Sequence, residues 1–274
     1  MKHIQSLSVL SVAAVLAAIP AAGSAAMVTI PVQGGANTTL TTCNPKINLD
    51  TPSETQDPSV TTCKVDGLPG SASLPGYILK SSRTANIVVN GVTVGTLYDR
   101  VWCLGTGTTC NGTNTYMLGL RARMNANAWN PSGLSFEIND FFRTIRSGAS
   151  VDSGYFMGTV VGGTNADTAA ARKYLEFTGR TLKGLFEPST SAQNNPVKVT
   201  NNAWIDFRAD ANINDPDSNP PFSYSSEWSP WLLVRQNCPT GYNTTPQALK
   251  SRLWQGGEEG QTPQPILTSA YVCN

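Results

Sequence analysis

The chain carries six cysteines, Cys43, Cys63, Cys103, Cys110, Cys238 and Cys273, and in sequence order they fall into three close pairs. Six cysteines allow 15 connectivities in principle. Local spacing selects Cys43–Cys63, Cys103–Cys110 and Cys238–Cys273, and each bridge is worth about 2–4 kcal/mol through the loop it closes. A thiolate metal site is the rival use of the same residues. It fails here because no C-x2-C pair is present and the one histidine, His3, is remote from every cysteine. Three covalent loops along one chain limit the fold to one in which residues near in sequence meet in space.

The even cysteine count agrees with the N-terminus. Met1-Lys2-His3 precedes an apolar run from Leu7 to Ile19, then Pro20 and the small residues Ala21 to Ala26. This is the order of a secretory signal peptide over residues 1–26, with cleavage after Ala25 or Ala26. Disulfides belong to oxidising compartments, so the expected location is secreted, periplasmic or cell-surface. Cleavage removes the only histidine, and with it the commonest general base and metal ligand. It also removes Lys2, leaving 18 basic against 18 acidic residues. A neutral chain carries no footprint for nucleic acid. No later segment is long and apolar enough for a transmembrane helix.

Residues 27–75 are rich in Thr, Pro, Asn and Ser and read as an extended N-terminal arm. Residues 76–274 read as the main β-rich domain. Ile87-Val88-Val89-Asn90-Gly91-Val92-Thr93-Val94 is a hairpin signal, because Asn-Gly supplies the positive φ angles of a two-residue type I′ turn. From Thr96 to Leu104, one side of the alternation holds Tyr98, Trp102 and Leu104 and the other Leu97, Val101 and Cys103. Tyr116, Leu118, Leu120, Ala122 and Met124 alternate with Gly119, Arg121 and Arg123, the pattern of a strand with one wet face. Further strands are predicted at Leu134–Asn139, Tyr155–Val161, Ala203–Ala209 and Trp231–Gln236. One short helix is predicted over Thr168–Phe177, capped by Asp167 and ended by Gly179. The expected fold is a mainly β, antiparallel sandwich or barrel-like fold with one short helix, stapled by disulfides.

Three groups of residues are candidates for function. Trp204, Trp228 and Trp231 are candidate ligand-binding aromatics: Trp204 alternates with Asp206 and Arg208, and Trp228 and Trp231 flank Pro230. Asp210, Asn212, Asn214 and Asp217 offer hard oxygens at near-alternate positions, the start of a Ca2+ loop, although Asp215 replaces the turn glycine and Pro221 the terminal glutamate. Glu137, Asp140, Asp206, Asp210 and Glu227 are the acids available to a two-carboxylate glycoside hydrolase, which needs no histidine. No spacing pairs two of them, and no nucleophile motif is present. The expected role is therefore that of an exported, non-catalytic binding or self-assembling surface or extracellular protein, with self-association or a glycan surface as its partner. A carbohydrate-binding module and a carboxylate-based glycoside hydrolase are the alternatives.

Overall fold

A computed structural model describes residues 27–32, 41–43, 63–156, 177–182, 201–213, 227–255 and 263–274. The described part is a mainly β, antiparallel structure of 13 strands in two sheets. The strands are β1 (Val28–Ile30), β2 (Thr41–Thr42), β3 (Tyr77–Val89), β4 (Val92–Thr106), β5 (Thr109–Cys110), β6 (Thr115–Met124), β7 (Ile138–Thr144), β8 (Val151–Phe156), β9 (Phe177–Gly179), β10 (Trp204–Ala211), β11 (Trp231–Asn237), β12 (Gln247–Gln255) and β13 (Gln264–Ala270). The larger sheet runs β1-β8-β11-β6-β4-β3, with β5 paired to β4, and the smaller runs β13-β12-β7-β10-β9-β2. We call them sheet A and sheet B.

The sheets pack face to face as a sandwich. Leu97, Leu120, Ala122, Met124 and Leu232 of sheet A meet Phe141, Ile205, Phe207, Ala209 and Leu253 of sheet B in one buried cluster. Burying a side chain of this size stabilises by about 1.5–3 kcal/mol, so this cluster dominates cohesion. The core is not wholly apolar. Asp99 on β4 points inward, where its Oδ1 lies 2.9 Å from Arg143 Nη2 of β7, with side chains 1% and 0% exposed. Asp99 Oδ2 accepts from the backbone N–H of Tyr271 at 2.8 Å, and Arg143 Nη2 also donates to Tyr271 O at 2.7 Å. This pair ties one sheet to the other and to the C-terminal segment, because each buried charge is neutralised by its partner.

The Asn90-Gly91 turn forms as expected, with φ of 50° and 81° and Val89 opposite Val92. All three local disulfides form, with Cα separations of 5.4, 5.7 and 5.1 Å. One of the strand expectations needs correction. The segment predicted as a strand at Leu134–Asn139 is displaced to β7, Ile138–Thr144, whose residues up to Arg143 are all buried. A strand covered on both faces shows no alternation, so its end was hidden by Asp140-Phe141-Phe142-Arg143. The helix predicted at Thr168–Phe177 lies, except for Phe177, outside the described residues, as does the end of Tyr155–Val161 beyond Phe156. Phe177 and Gly179 belong to β9, opposite Arg208 and Asp206, and the Thr178 hydroxyl bonds Ser153 Oγ at 2.8 Å across the sandwich. Those pairings hold Gly179 in a strand rather than a helix cap.

The arm segments that are described lie on the body of their own chain. β1 pairs with β8 at one edge of sheet A, and β2 pairs with β9 at one edge of sheet B. Cys43–Cys63 then returns the chain to β8, where Val65 N donates to Tyr155 O at 2.8 Å. Val65, Leu68 and Leu74 pack over Trp102, Met117, Trp231 and Leu233 on the outer side of sheet A. The described arm residues therefore cover one half of that outer face and, among the described residues, leave the other half clear of the arm.

Candidate functional site

The uncovered half is built by alternation on neighbouring strands. On β4 the outward positions are Thr96, Tyr98 and Arg100, and on β6 they are Gly119, Arg121 and Arg123. The register sets Thr96 opposite Arg123, Tyr98 opposite Arg121, and Arg100 opposite Gly119. Glycine is required at 119, because a Cβ there would stand 2.8 Å from the Trp102 ring. Beyond β4, Ser82, Thr84 and Asn86 of β3 extend the same face as an exposed polar row opposite Arg100, Tyr98 and Thr96.

The segment before β11 completes the patch. Met124 N donates to Glu227 O at 2.6 Å, Ser229 N donates to Ala122 O at 3.0 Å, and Ala122 N donates to Ser229 Oγ at 2.9 Å. These bonds lay residues 227–229 along β6 and bring the half-buried Trp228 beside the Tyr98 ring, centroids 5.4 Å apart. The Arg121 guanidinium lies 4.2 Å from the Trp228 ring centre, that of Arg123 lies 5.2 Å from it, and Arg100 sits 4.7 Å from the Trp231 ring. Arginine and aromatic groups thus interleave, each guanidinium held by a ring quadrupole.

Charge pairing within the patch is uneven. Arg123 Nε is 3.3 Å from Glu227 Oε2. Arg121 is only 7% exposed, and the bond its Nε donates to Ser229 O at 2.9 Å goes to a neutral carbonyl. Burial pulls its pKa down to about 10; Tyr98 opposes that shift and the Arg100 charge adds to it. Burial lowers Arg100 as well, and its Nε has no hydrogen-bond partner. Among the described residues neither Arg100 nor Arg121 has a carboxylate partner, whereas Arg235, farther along the same face, is held by Asp152 at 2.8 Å.

Of the predicted aromatics, Trp228 stands at the centre of this patch. Trp231 is 4% exposed, a packing residue beneath the arm rather than a contact surface. Trp204 is half-buried on the opposite side of the molecule, on β10 of sheet B. The structure brings Trp228 and Trp231 to one face and leaves Trp204 apart from them. The three arginines were not singled out from the sequence, although their alternate positions on two predicted strands were the available signal.

The acids separate in a comparable way. On the outer face of sheet B, Asp140 stands between Trp254 and Arg208, and Phe142 stands between Arg252 and Asp206. Asp140 and Asp206 are therefore diagonal neighbours on adjacent strands. Both are fully buried, and neither Asp206 oxygen accepts a well-formed hydrogen bond. Burial first and the Asp140 charge second push the Asp206 carboxyl well above the usual range, against the Phe207 N–H and the Arg208 and Arg252 charges. Glu137 lies elsewhere, its Oε1 accepting from Asn212 Nδ2 at 3.0 Å, and Glu227 belongs to the sheet A patch.

That Asn212 contact also bears on the expected Ca2+ loop. Asp210 has strand backbone in β10, while Asn214 and Asp217 lie outside the described residues. Among the described residues no three acidic, cysteine or histidine side chains group as a metal site. A cleft of about 200 Å³ near Thr144, Gln247, Lys250 and Asn274 gathers no acid or aromatic side chain. Comparison with protein-family models, curated proteins and solved structures returns no match to this chain.

Proposed function

We propose that this protein is an exported, non-catalytic binding protein that holds a glycan surface on the uncovered half of sheet A. One observation carries the reading: a sheet face presents the Tyr98 and Trp228 rings beside an exposed row of Ser82, Thr84 and Asn86. Aromatic rings stack on the apolar faces of sugars, and flanking hydroxyls and amides meet the sugar hydroxyls, so recognition needs no deep pocket. Export is supported by the leader-like N-terminus and three disulfides. No helix among the described residues is long and apolar enough to cross a membrane.

Self-association through the edge strand β3 is the competing use of the same side of the molecule. Register shifts between Leu79 and Ser81 and between Ile87 and Val88 interrupt β3, and Lys80 sits at the first of them. Bulges and lysines of this kind discourage strand addition, which favours the face over the edge. The test is retention of the protein on immobilised polysaccharides together with its sedimentation. The expected result is a monomer retained by at least one polymer and released by Trp228→Ala without loss of fold. A protein retained by none, or only as an oligomer, defeats the reading.

A second reading, hydrolysis by two carboxylates, is favoured by one feature. Burial and the neighbouring Asp140 charge push the Asp206 carboxyl well above its usual range, and a carboxyl raised in this way beside a second acid is suited to acid–base work. Turnover of a polysaccharide that Asp206→Asn abolishes would establish it.

A further inference from the structure

We infer that the sheet A patch selects an acidic polysaccharide bearing hexuronic acid residues, a refinement that rests on the binding reading above. The patch holds more positive charge than its own carboxylates neutralise. Glu227 serves Arg123, while among the described residues Arg100 and Arg121 have no acidic partner. Arg121 is also 93% removed from solvent, since its exposure is 7%. A guanidinium taken out of water normally acquires a carboxylate or phosphate, because the desolvation it suffers is otherwise uncompensated. The ring faces of Trp228 and Trp231 stabilise these cations only from above. Their N–H edges keep the planar fork geometry that matches a carboxylate.

The other arginine of this face supplies an internal control. Arg235 has the same chemistry, yet both its Nε and Nη2 lie 2.8 Å from Asp152 Oδ2. The fold therefore supplies a carboxylate to Arg235 and supplies none to Arg100 and Arg121, which flank Tyr98 and Trp228. A ligand that brings an apolar ring face and a carboxylate on the same residue satisfies both halves of the patch at once. A hexuronic acid has that combination. The neutral balance of the whole chain, with 19 basic and 18 acidic residues, argues that the attraction is local rather than a general affinity for polyanions.

The test measures binding of the full mature protein to polygalacturonate and to the same polymer with its carboxyls reduced to hydroxymethyl groups, alongside heparin and duplex DNA. The wild type is expected to bind polygalacturonate, to bind the reduced polymer at least about tenfold more weakly, and to weaken with added salt. Arg100→Gln and Arg121→Gln should each lower the affinity about tenfold, while Arg235→Gln leaves it unchanged. Near-UV circular dichroism checks the fold of each variant. If Arg121→Gln does not fold, Arg100→Gln decides alone. Equal binding to both forms of the polymer, lost in Trp228→Ala, overturns this inference and leaves glycan binding standing. Binding to neither form overturns this inference, and the panel of immobilised polysaccharides decides the glycan reading separately. Heparin or DNA held as tightly as polygalacturonate overturns the uronate assignment.

Discussion

On the outer face of sheet A, Arg100 and Arg121 lie against Trp231 and Trp228 with no carboxylate in reach among the described residues. On the outer face of sheet B, Arg208 Nη1 stands 4.0 Å from Asp140, itself fully buried. Both faces use strands that place arginine and tryptophan at alternate positions, so composition does not separate them. Burial and pairing do. An aromatic ring tolerates a guanidinium at its face and leaves the donors unspent, which suits a surface that must accept a ligand. A carboxylate in a dry place has no such substitute and depends on a cation, which suits a structural contact. Among the described residues, sheet A leaves Arg100 and Arg121 without a carboxylate, and sheet B sets Arg208 against Asp140.

The largest effect should come from breaking the sheet B pairing. Arg208→Met removes a cation 4.0 Å from the buried Asp140, and removal of one member of a buried pair costs about 3–5 kcal/mol. Arg100→Met, on sheet A, removes a cation that neutralises nothing and should cost less than about 1 kcal/mol. Urea denaturation of the two variants side by side tests the contrast. Equal losses would mean that the two faces do not differ in the way their charges are used.

The hairpin at Asn90-Gly91, the three disulfides and the alternation that carries Leu118 and Leu120 were legible because each signal is local. Turn chemistry, cysteine spacing and period-2 alternation are readable over a few residues. β12 was not legible: Gln-Ala-Leu-Lys-Ser-Arg-Leu-Trp-Gln holds no β-branched residue and consists largely of helix formers. It is a strand because β7 and β13 pair with its two sides, and only tertiary context supplies that. The inward charge of Asp99 was hidden for the same reason, since its partner Arg143 lies on the other sheet. At the site, Trp228 was legible as an aromatic near a proline. Its meeting with Arg121 and Tyr98 depends on residues 227–229 lying along β6, a contact across more than 100 positions of sequence.

A smaller effect follows from Asp206. Its native carboxyl titrates well above the ordinary 3.8. Between 3.8 and that raised native value the folded protein holds a proton that the unfolded chain has released. Stability from this group is therefore complete below the unfolded pKa and falls as pH rises through the window, by at most about 1.4 kcal/mol per pH unit. Asp206→Asn should flatten that slope and leave the protein more stable than wild type near neutral pH. Unfolding free energies measured across the acidic to neutral range check the sign. A wild type that gains stability with pH over this window, with the variant following it, would show that Asp206 is ionised and paired, and sheet B would lose its unpartnered acid.

The smallest effect on stability, and the sharpest on function, belongs to Glu227. Its pair with Arg123 is open to water, the two side chains being 29% and 51% exposed, so its removal should change the unfolding free energy by less than about 1 kcal/mol. The consequence for binding runs the other way. Glu227→Gln turns Arg123, which already leans on the Trp228 ring at 5.2 Å, into a third guanidinium with no carboxylate partner on the same face. A contribution of the size released from a surface pair corresponds to about a two- to fivefold tighter hold on polygalacturonate, and the gain should shrink as salt is added. Equilibrium binding of wild type and variant at two ionic strengths makes the comparison. An unchanged affinity would place Arg123 outside the contact, confining it to Tyr98, Arg100, Arg121 and Trp228. A weakened one would mean that Glu227 itself meets the ligand, and that the unpaired arginines are not what draws it in.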